Sequence, residues 1–282
     1  MRWLHRDPIR PTRYFHLVSD PIAELAALPD VAAELAAART AVDELLWNRA
    51  ARARGRALAA ESALLGAWAD AAFEGAEVPQ GSLRSGAVED SPIGRTAVRT
   101  LAMYAEIPAA ADIVTTAPLQ ALARLHAVVA VGSTVAVGRP RSGDDVADPL
   151  RLRTAEPSSA AAARLAALGD VLVGSSTAPA LALAAIVHAE IAVVQPFDWG
   201  SGLLARAMTR VVMRAKGVDP DGWAIPEAGL RMLGRPKYVA ALRGYATGDV
   251  AGVTEWIVRH SQAVAAGAAA AAELVDELPT DA

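Results

Sequence analysis

The segment Gln195–Gly202, which reads QPFDWGSG and directly precedes an amphipathic helix, has the residue types of a phosphate-binding loop. Gly200 and Gly202 allow positive φ angles, so that successive backbone N–H groups can converge on an anion. The helix that follows contributes its own free N–H groups and the positive end of its dipole. We therefore predict an anion site formed by Gly200, Ser201 and Gly202.

Two side chains near this loop could complete a nucleotide site. Asp198 has a carboxylate that could hold a divalent metal bridging phosphate oxygens. Arg206 begins a stripe of arginines at i, i+4 spacing, and helical side chains lean towards the N-terminus, so its guanidinium can reach back to the loop. Two alternatives stay open. The loop could be a simple turn between two helices, which is common, and the arginine stripe could be a solvated helix face.

The loop and its helix resemble the signature of the Fic family, H-P-F-x-D/E-G-N-G-R-x-x-R. Aligned without a gap, the matching residues are Pro196, Phe197, Gly200, Gly202 and Arg206. The departures are Gln195 for the catalytic His, Trp199 for the metal-binding acid, Ser201 for Asn and Leu203 for the first Arg. Asp198 lies one position before the family acid, so the resemblance leaves open whether it holds a metal.

A second segment, Asp70–Gly75, resembles the inhibitory-helix motif S/T-x-x-x-E-G/N of Fic proteins. Asp70 replaces the hydroxyl residue, while Glu74 and Gly75 match. In the family this Glu pairs with the second Arg of the loop motif and blocks productive ATP binding. The resemblance thus implies an inhibitory contact between Glu74 and Arg206.

The Fic resemblance implies transfer of AMP from ATP, with Mg²⁺, to a hydroxyl group of a target protein. Gln195 cannot accept a proton at neutral pH, and a positioned general base contributes roughly 10²- to 10⁴-fold to a rate. Because Leu203 stands where the signature has its first Arg, the loop lacks a guanidinium that could bind phosphate. We expect impaired transfer with nucleotide or partner binding retained. The alternatives are an active transferase with altered chemistry and a non-enzymatic interaction protein.

The remaining site features are less specific. His188 lies two helical turns before Gln195, roughly 10 Å away by helix rise, and is expected to be structural rather than a replacement base. His126 is also expected to be structural. The stretch from Thr134 to Pro157 corresponds to the family's β-hairpin flap, which binds a target peptide by strand addition. A surface loop is the equally weighted alternative there.

The sequence pattern along most of the chain is typical of helices, which must position these residues. The first helix start is Asp20-Pro21, with Asp20 as N-cap and Pro21 as the first helical residue. With weak strand signals, we predict an all-α fold: a Fic-type helical bundle with a short hairpin flap. The resemblance divides it into an N-terminal helical segment (1–57), a Fic-like part with the inhibitory helix (58–262) and a C-terminal helix and tail (263–282).

Composition limits the partners and the location. The 282 residues include no cysteine, and the net charge of −4 argues against general nucleic-acid binding. The apolar stretch Val171–Val194 contains His188 and Glu190, so we interpret it as a buried helix with its start signal rather than a membrane span. Met1–Phe15 lacks the apolar core of a signal peptide. We expect a cytoplasmic protein; the sequence does not indicate its oligomeric state.

Overall fold

A computed structural model of the chain describes residues 20–133, 135–152, 155–174 and 176–281. Met1–Phe15 lies outside them. The described residues form fourteen α-helices and one short 3₁₀ helix (Val275–Glu277), without a strand. The helices are α1 Pro21–Ala26, α2 Pro29–Trp47, α3 Arg49–Arg52, α4 Gly55–Phe73, α5 Gln80–Ser85, α6 Pro92–Ala105, α7 Ile107–Ile113, α8 Pro118–Val129, α9 Ser158–Val173, α10 Ala180–Val194, α11 Ser201–Ala215, α12 Pro226–Leu233, α13 Arg235–Tyr245 and α14 Val250–Leu274. The all-α prediction is confirmed.

Helix α10 is the centre of the fold. Its sequence is apolar all round, which is typical of a helix buried on every side. Each of its residues from Leu181 to Val194 except Glu190 is buried. Glu190 lies at the edge, where its carboxylate accepts hydrogen bonds from Arg164 and from the Tyr245 hydroxyl. Helix α11 packs along α10, so the loop between them is held by the core.

The expected buried helix in Val171–Val194 is α10, while Val171–Val173 belongs to the end of α9. In the described part of the chain, no helix combines the length and the apolar character needed to span a bilayer.

Helix α14 runs without a break across residues 262 and 263 and packs against α2 and α12. Its small residues allow close backbone approach. The carbonyl of Gly267, for example, accepts a hydrogen bond from the Ile225 N–H at 3.1 Å. Helix α14 thereby joins the N-terminal helices to the helices that surround the loop.

The predicted hairpin flap is wrong for the described residues of 134–157, which form turns and irregular backbone. Three prolines interrupt any ladder there, and backbone N–H groups of the segment bond to the loop instead. The N–H of Arg141 donates to the Pro196 carbonyl and that of Ala147 to the Asp198 carbonyl, both at 2.9 Å. We call residues 138–152 the strap, because they lie across the loop.

The contact of α12 with α14 depends on Gly229. A methyl group added there would overlap the backbone carbonyl of Ala263, which cannot move aside as a side chain can. We expect Gly229→Ala to lower the free energy of unfolding by about 1–3 kcal/mol, as overpacking usually does. Gly81→Ala is the matched control, because nothing lies within 4 Å of its added methyl group. Urea unfolding of both variants checks this, and an unchanged midpoint for Gly229→Ala contradicts it.

Candidate functional site

The loop between α10 and α11 is shaped by two left-handed residues. Gln195 ends α10 with φ 51°, and Gly200 precedes α11 with φ 84°. Left-handed backbone favours glycine, so Gln195 is the costlier of the two. The bend directs the first turn of α11, whose N–H groups have no intrahelical partners, towards the end of α4.

Glu74 lies directly on this first turn. Its carboxylate is so close to Gly202 that a methyl group added at Gly202 would collide with it. Glu74 Oε1 also accepts a hydrogen bond from Arg206 Nη2 at 2.5 Å. The predicted contact between Glu74 and Arg206 is therefore present. A carboxylate of the chain itself occupies the place where the N-terminus of α11 would attract an anion.

Asp70 is a second carboxylate on the same guanidinium, and sequence reasoning did not identify it as a partner. Its Oδ1 accepts a hydrogen bond from Arg206 Nε, and its Oδ2 accepts one from the Tyr104 hydroxyl at 3.0 Å. The third nitrogen, Arg206 Nη1, donates to the Tyr238 hydroxyl at 3.2 Å. Each guanidinium nitrogen of Arg206 thus has a partner. Arg206 is 0% exposed, so the solvated-face alternative is wrong for this residue.

The spacing of residues on two packed helices explains this arrangement. A row of residues on α4 and at its C-cap faces α11, with four positions from each residue to the next. The row is Ser62, Gly66, Asp70 and Glu74. On α11 Arg206 and Arg210 follow the same spacing. Residues four apart share one face of a helix, so two matching rows meet along the contact. Arg206 and Arg210 of the predicted stripe of Arg206, Arg210 and Arg214 therefore belong to an interhelical ion-pair row.

Arg210 is paired as closely as Arg206. It donates to both carboxylate oxygens of Glu227 at 2.8–3.0 Å and to the Ser62 hydroxyl at 3.0 Å. With Asp70 and Glu74, the row contains two guanidinium groups and three carboxylates. When all five are ionised the row carries a net charge of −1.

Burial sets the ionisation of this row. Loss of solvation raises the pKa of Asp70 to about 7, against the lowering effect of Arg206. Burial on its own lowers the pKa of Arg206, but its neighbours Asp70, Tyr238 and Glu74 outweigh this effect and hold the pKa well above its ordinary value. Arg206 is thus a permanent cation that is compensated within the fold.

A chain of buried hydrogen bonds continues from Arg206 into the core. Because Arg206 only donates, the Tyr238 hydroxyl accepts from it and donates to His188 Nε2 at 2.8 Å. His188 Nδ1 then donates to the Thr209 hydroxyl at 3.0 Å, which donates to His260 Nε2 at 3.1 Å. Both histidines are buried and neutral, since burial lowers the pKa of His188 well below its ordinary value and that of His260 to about 3. As expected, His188 is structural.

The remaining signature positions supply no general base and no further cation. Gln195 is buried, and its Oε1 has no partner among the described residues. We expected Ser201 to offer a hydrogen bond to phosphate, but its hydroxyl bonds to the backbone of Phe197 at 3.2–3.3 Å. Leu203 is fully buried in the core. Of the predicted phosphate-binding side chains, none is free to bind an anion here.

Asp198 is half-buried, and its backbone carbonyl is held by the strap. The described residues contain no group of three or more His, Asp or Glu side chains that could hold a metal ion. Mg²⁺ usually binds through one or two carboxylates together with phosphate oxygens and water. Asp198 could hold Mg²⁺ only with a bound phosphate, and the cradle and cation that such a phosphate needs are taken by Glu74 and Asp70. ATP and Mg²⁺ therefore do not fit this arrangement.

The loop is held by two further side chains, those of Arg141 and His126. The buried guanidinium of Arg141 donates to the backbone carbonyls of Gln195, Gly143 and Glu156 at 2.6–2.9 Å. His126, which we expected to be structural, stacks on the Phe197 ring with centroids 4.1 Å apart. Its Nδ1 accepts from the Gly138 N–H at 2.8 Å, so its Nε2 donates to the Trp199 carbonyl at 3.2 Å. Burial lowers the pKa of His126, which favours this neutral form.

Comparison with solved structures identifies the fold. The chain is similar to a Fic family protein from Desulfovibrio desulfuricans G20, with a TM-score of 0.74, 19% identity, and coverage of 90% of this chain and 77% of that one. It is also similar to Fic-1 from C. elegans, with a TM-score of 0.59, 21% identity, and coverage of 85% and 72%. A Fic domain containing signaling protein from Bacteroides thetaiotaomicron VPI-5482 gives a TM-score of 0.66, 13% identity, and coverage of 88% and 100%.

No protein-family model and no curated protein matches the chain. The structural likenesses show that it has a Fic-type helical fold.

The contacts of Arg141 predict that it stabilises the strap. Arg141→Met leaves three backbone carbonyls without their charged donor, so we expect a loss of about 2–3 kcal/mol in unfolding free energy. We also expect faster proteolysis within the strap. Arg139→Met is the matched control, because Arg139 is exposed two residues away. Equal urea midpoints and equal cleavage rates for the two variants would show that the contacts of Arg141 do not hold the strap.

The buried neutral histidines predict a pH dependence of stability. The folded-state pKa of His260 is lowered to about 3, whereas in the unfolded chain it is about 6.5, so the unfolded state binds the extra proton between these values. The stability from His260 is therefore full above pH 6.5 and is lost as the pH falls towards 3, by up to about 1.4 kcal/mol per pH unit. His260→Gln should reduce this slope in urea unfolding from pH 7 to 4.5. The same slope in both proteins contradicts the assignment.

Proposed function

We propose that this Fic-fold chain is impaired in AMP transfer. The observation that carries the proposal is the state of Arg206, the only signature arginine that the loop retains. Its guanidinium is fully buried and bound by Asp70, Glu74 and Tyr238. The group expected to orient a transferred nucleotide is thus part of the interior.

The chemistry of the loop supports the same conclusion. Transfer of AMP to a hydroxyl needs a base that removes the proton, and the amide of Gln195 is not one at neutral pH. Stabilisation of developing charge on phosphate needs positioned donors or cations. Ser201 bonds to Phe197 instead, and Leu203 has no charge. The loop thus has neither a proton acceptor nor a free cation.

ATP with Mg²⁺ is the ligand that the Fic resemblance implies for this loop, and the carboxylate of Glu74 must leave Gly202 before a phosphate can lie there. Glu74 is the C-cap of α4 and is followed by Gly75 at φ 82°, so it can move without unfolding the helix. We therefore assign Glu74 an inhibitory role in nucleotide binding. Even with Glu74 withdrawn, Gln195 supplies no general base for transfer.

The proposal predicts no labelling of protein by labelled ATP with Mg²⁺. We expect the wild-type chain and Glu74→Gly to label neither themselves nor proteins of a cell extract above the level of Arg206→Ala, which lacks the signature arginine. A known Fic adenylyltransferase assayed in parallel shows that the reaction conditions support transfer. Labelling by the wild type or by Glu74→Gly, and not by Arg206→Ala, contradicts the proposal.

A further inference from the structure

We infer that Asp70 is a specificity-determining residue that keeps polyphosphate out of the loop even when Glu74 is removed. This inference rests on the proposed function, since it concerns the same loop. It adds a second closing group to the contact between Glu74 and Arg206. The observation behind it is that two carboxylates from successive turns of α4 bind different nitrogens of one guanidinium.

The two carboxylates differ in how they can be released. Glu74 is the C-cap of α4, with a side chain that is 6% exposed, so movement of the helix end can withdraw it. Asp70 lies one turn inside α4, is 0% exposed, and is fixed from its other oxygen by the Tyr104 hydroxyl. Release of Asp70 from Arg206 requires α4 to separate from α11, which would also expose the pair of Arg210 and Glu227.

When Glu74 is removed, the other hydrogen bonds of Arg206 leave few of its N–H donors available to a phosphate. Arg206 Nε stays on Asp70 and Nη1 stays on the Tyr238 hydroxyl, so only Nη2 is freed. Strong recognition of phosphate by arginine usually needs two parallel N–H donors. With Nε held by Asp70 and Nη1 held by Tyr238, neither pair of adjacent guanidinium nitrogens is fully free for such a fork.

The charge balance points the same way. Without Glu74, Arg206 is balanced by Asp70, and Arg210 is balanced by Glu227. The neighbouring signature positions Gln195 and Leu203 are uncharged. The polyanion of a nucleotide would therefore meet no net positive charge from this row. Removal of Asp70 together with Glu74 leaves Arg206 as an uncompensated cation next to the first turn of α11.

Calorimetric titration with ATP and Mg²⁺ at pH 8, above the pKa of about 7 to which burial raises Asp70, tests the inference. The proteins are wild type, Glu74→Gly, Asp70→Ser and the double variant Asp70→Ser with Glu74→Gly. We expect no binding to wild type or Asp70→Ser, because Glu74 still lies on Gly202. The double variant should bind at least tenfold more tightly than Glu74→Gly.

Asp70→Asn with Glu74→Gly is the second variant, because Asn keeps the size of Asp70 and removes only its charge. It should also bind more tightly than Glu74→Gly, and circular dichroism melting confirms that the compared proteins are folded. The inference is overturned if Glu74→Gly binds as tightly as the folded double variants, or if neither double variant gains affinity. These affinities are independent of the labelling assay, so the inference can fail while the loss of transfer stands.

Discussion

The burial of one permanent cation, the guanidinium of Arg206, constrains much of the rest of the structure. An arginine keeps its charge at any pH at which the protein is folded, and a buried charge is tolerated only when it is paired and hydrogen-bonded. Helix α4 satisfies this requirement with Asp70 and Glu74, and α13 does so with Tyr238. Removal of one partner of a buried pair usually costs several kcal/mol, so the pairing fixes how α4 lies on α11.

The same pairing decides what the loop can do. The first turn of α11 and the left-handed Gly200 form a cradle of the kind that attracts anions, but the anion in place is the carboxylate of Glu74. The strap, held by Arg141, bonds to the backbone of the loop at Gln195, Pro196 and Asp198. The charges around this helix N-terminus are thus used to hold the interior together.

The sequence predicted the helical fold better than it predicted the ion pairs and hydrogen bonds around the loop. The Asp20-Pro21 signal placed the start of α1, the apolar stretch placed α10, and the Fic resemblance brought Glu74 to Arg206 across 132 positions of the chain. The short helices α3, α5, α7 and α12 have too few turns to give a clear period, so the sequence does not place them. An i, i+4 row of arginines looks the same whether it faces water or another helix, so burial of Arg206 could not be decided. Asp70 was visible only as a departure from a motif, and the contacts of Arg141 depend on a backbone path that no local pattern encodes.

The most direct test of the central claim is an NMR measurement on Arg206 itself. In the ¹⁵N-labelled protein, the Nε–H signal of Arg206 is assigned as the one lost in Arg206→Lys, and its exchange with solvent is followed before and after addition of ATP with Mg²⁺. A buried Nε–H bound to the carboxylate of Asp70 predicts a slowly exchanging signal that does not move when the nucleotide is added. A rapidly exchanging signal, or one that shifts on addition of ATP, would contradict the account.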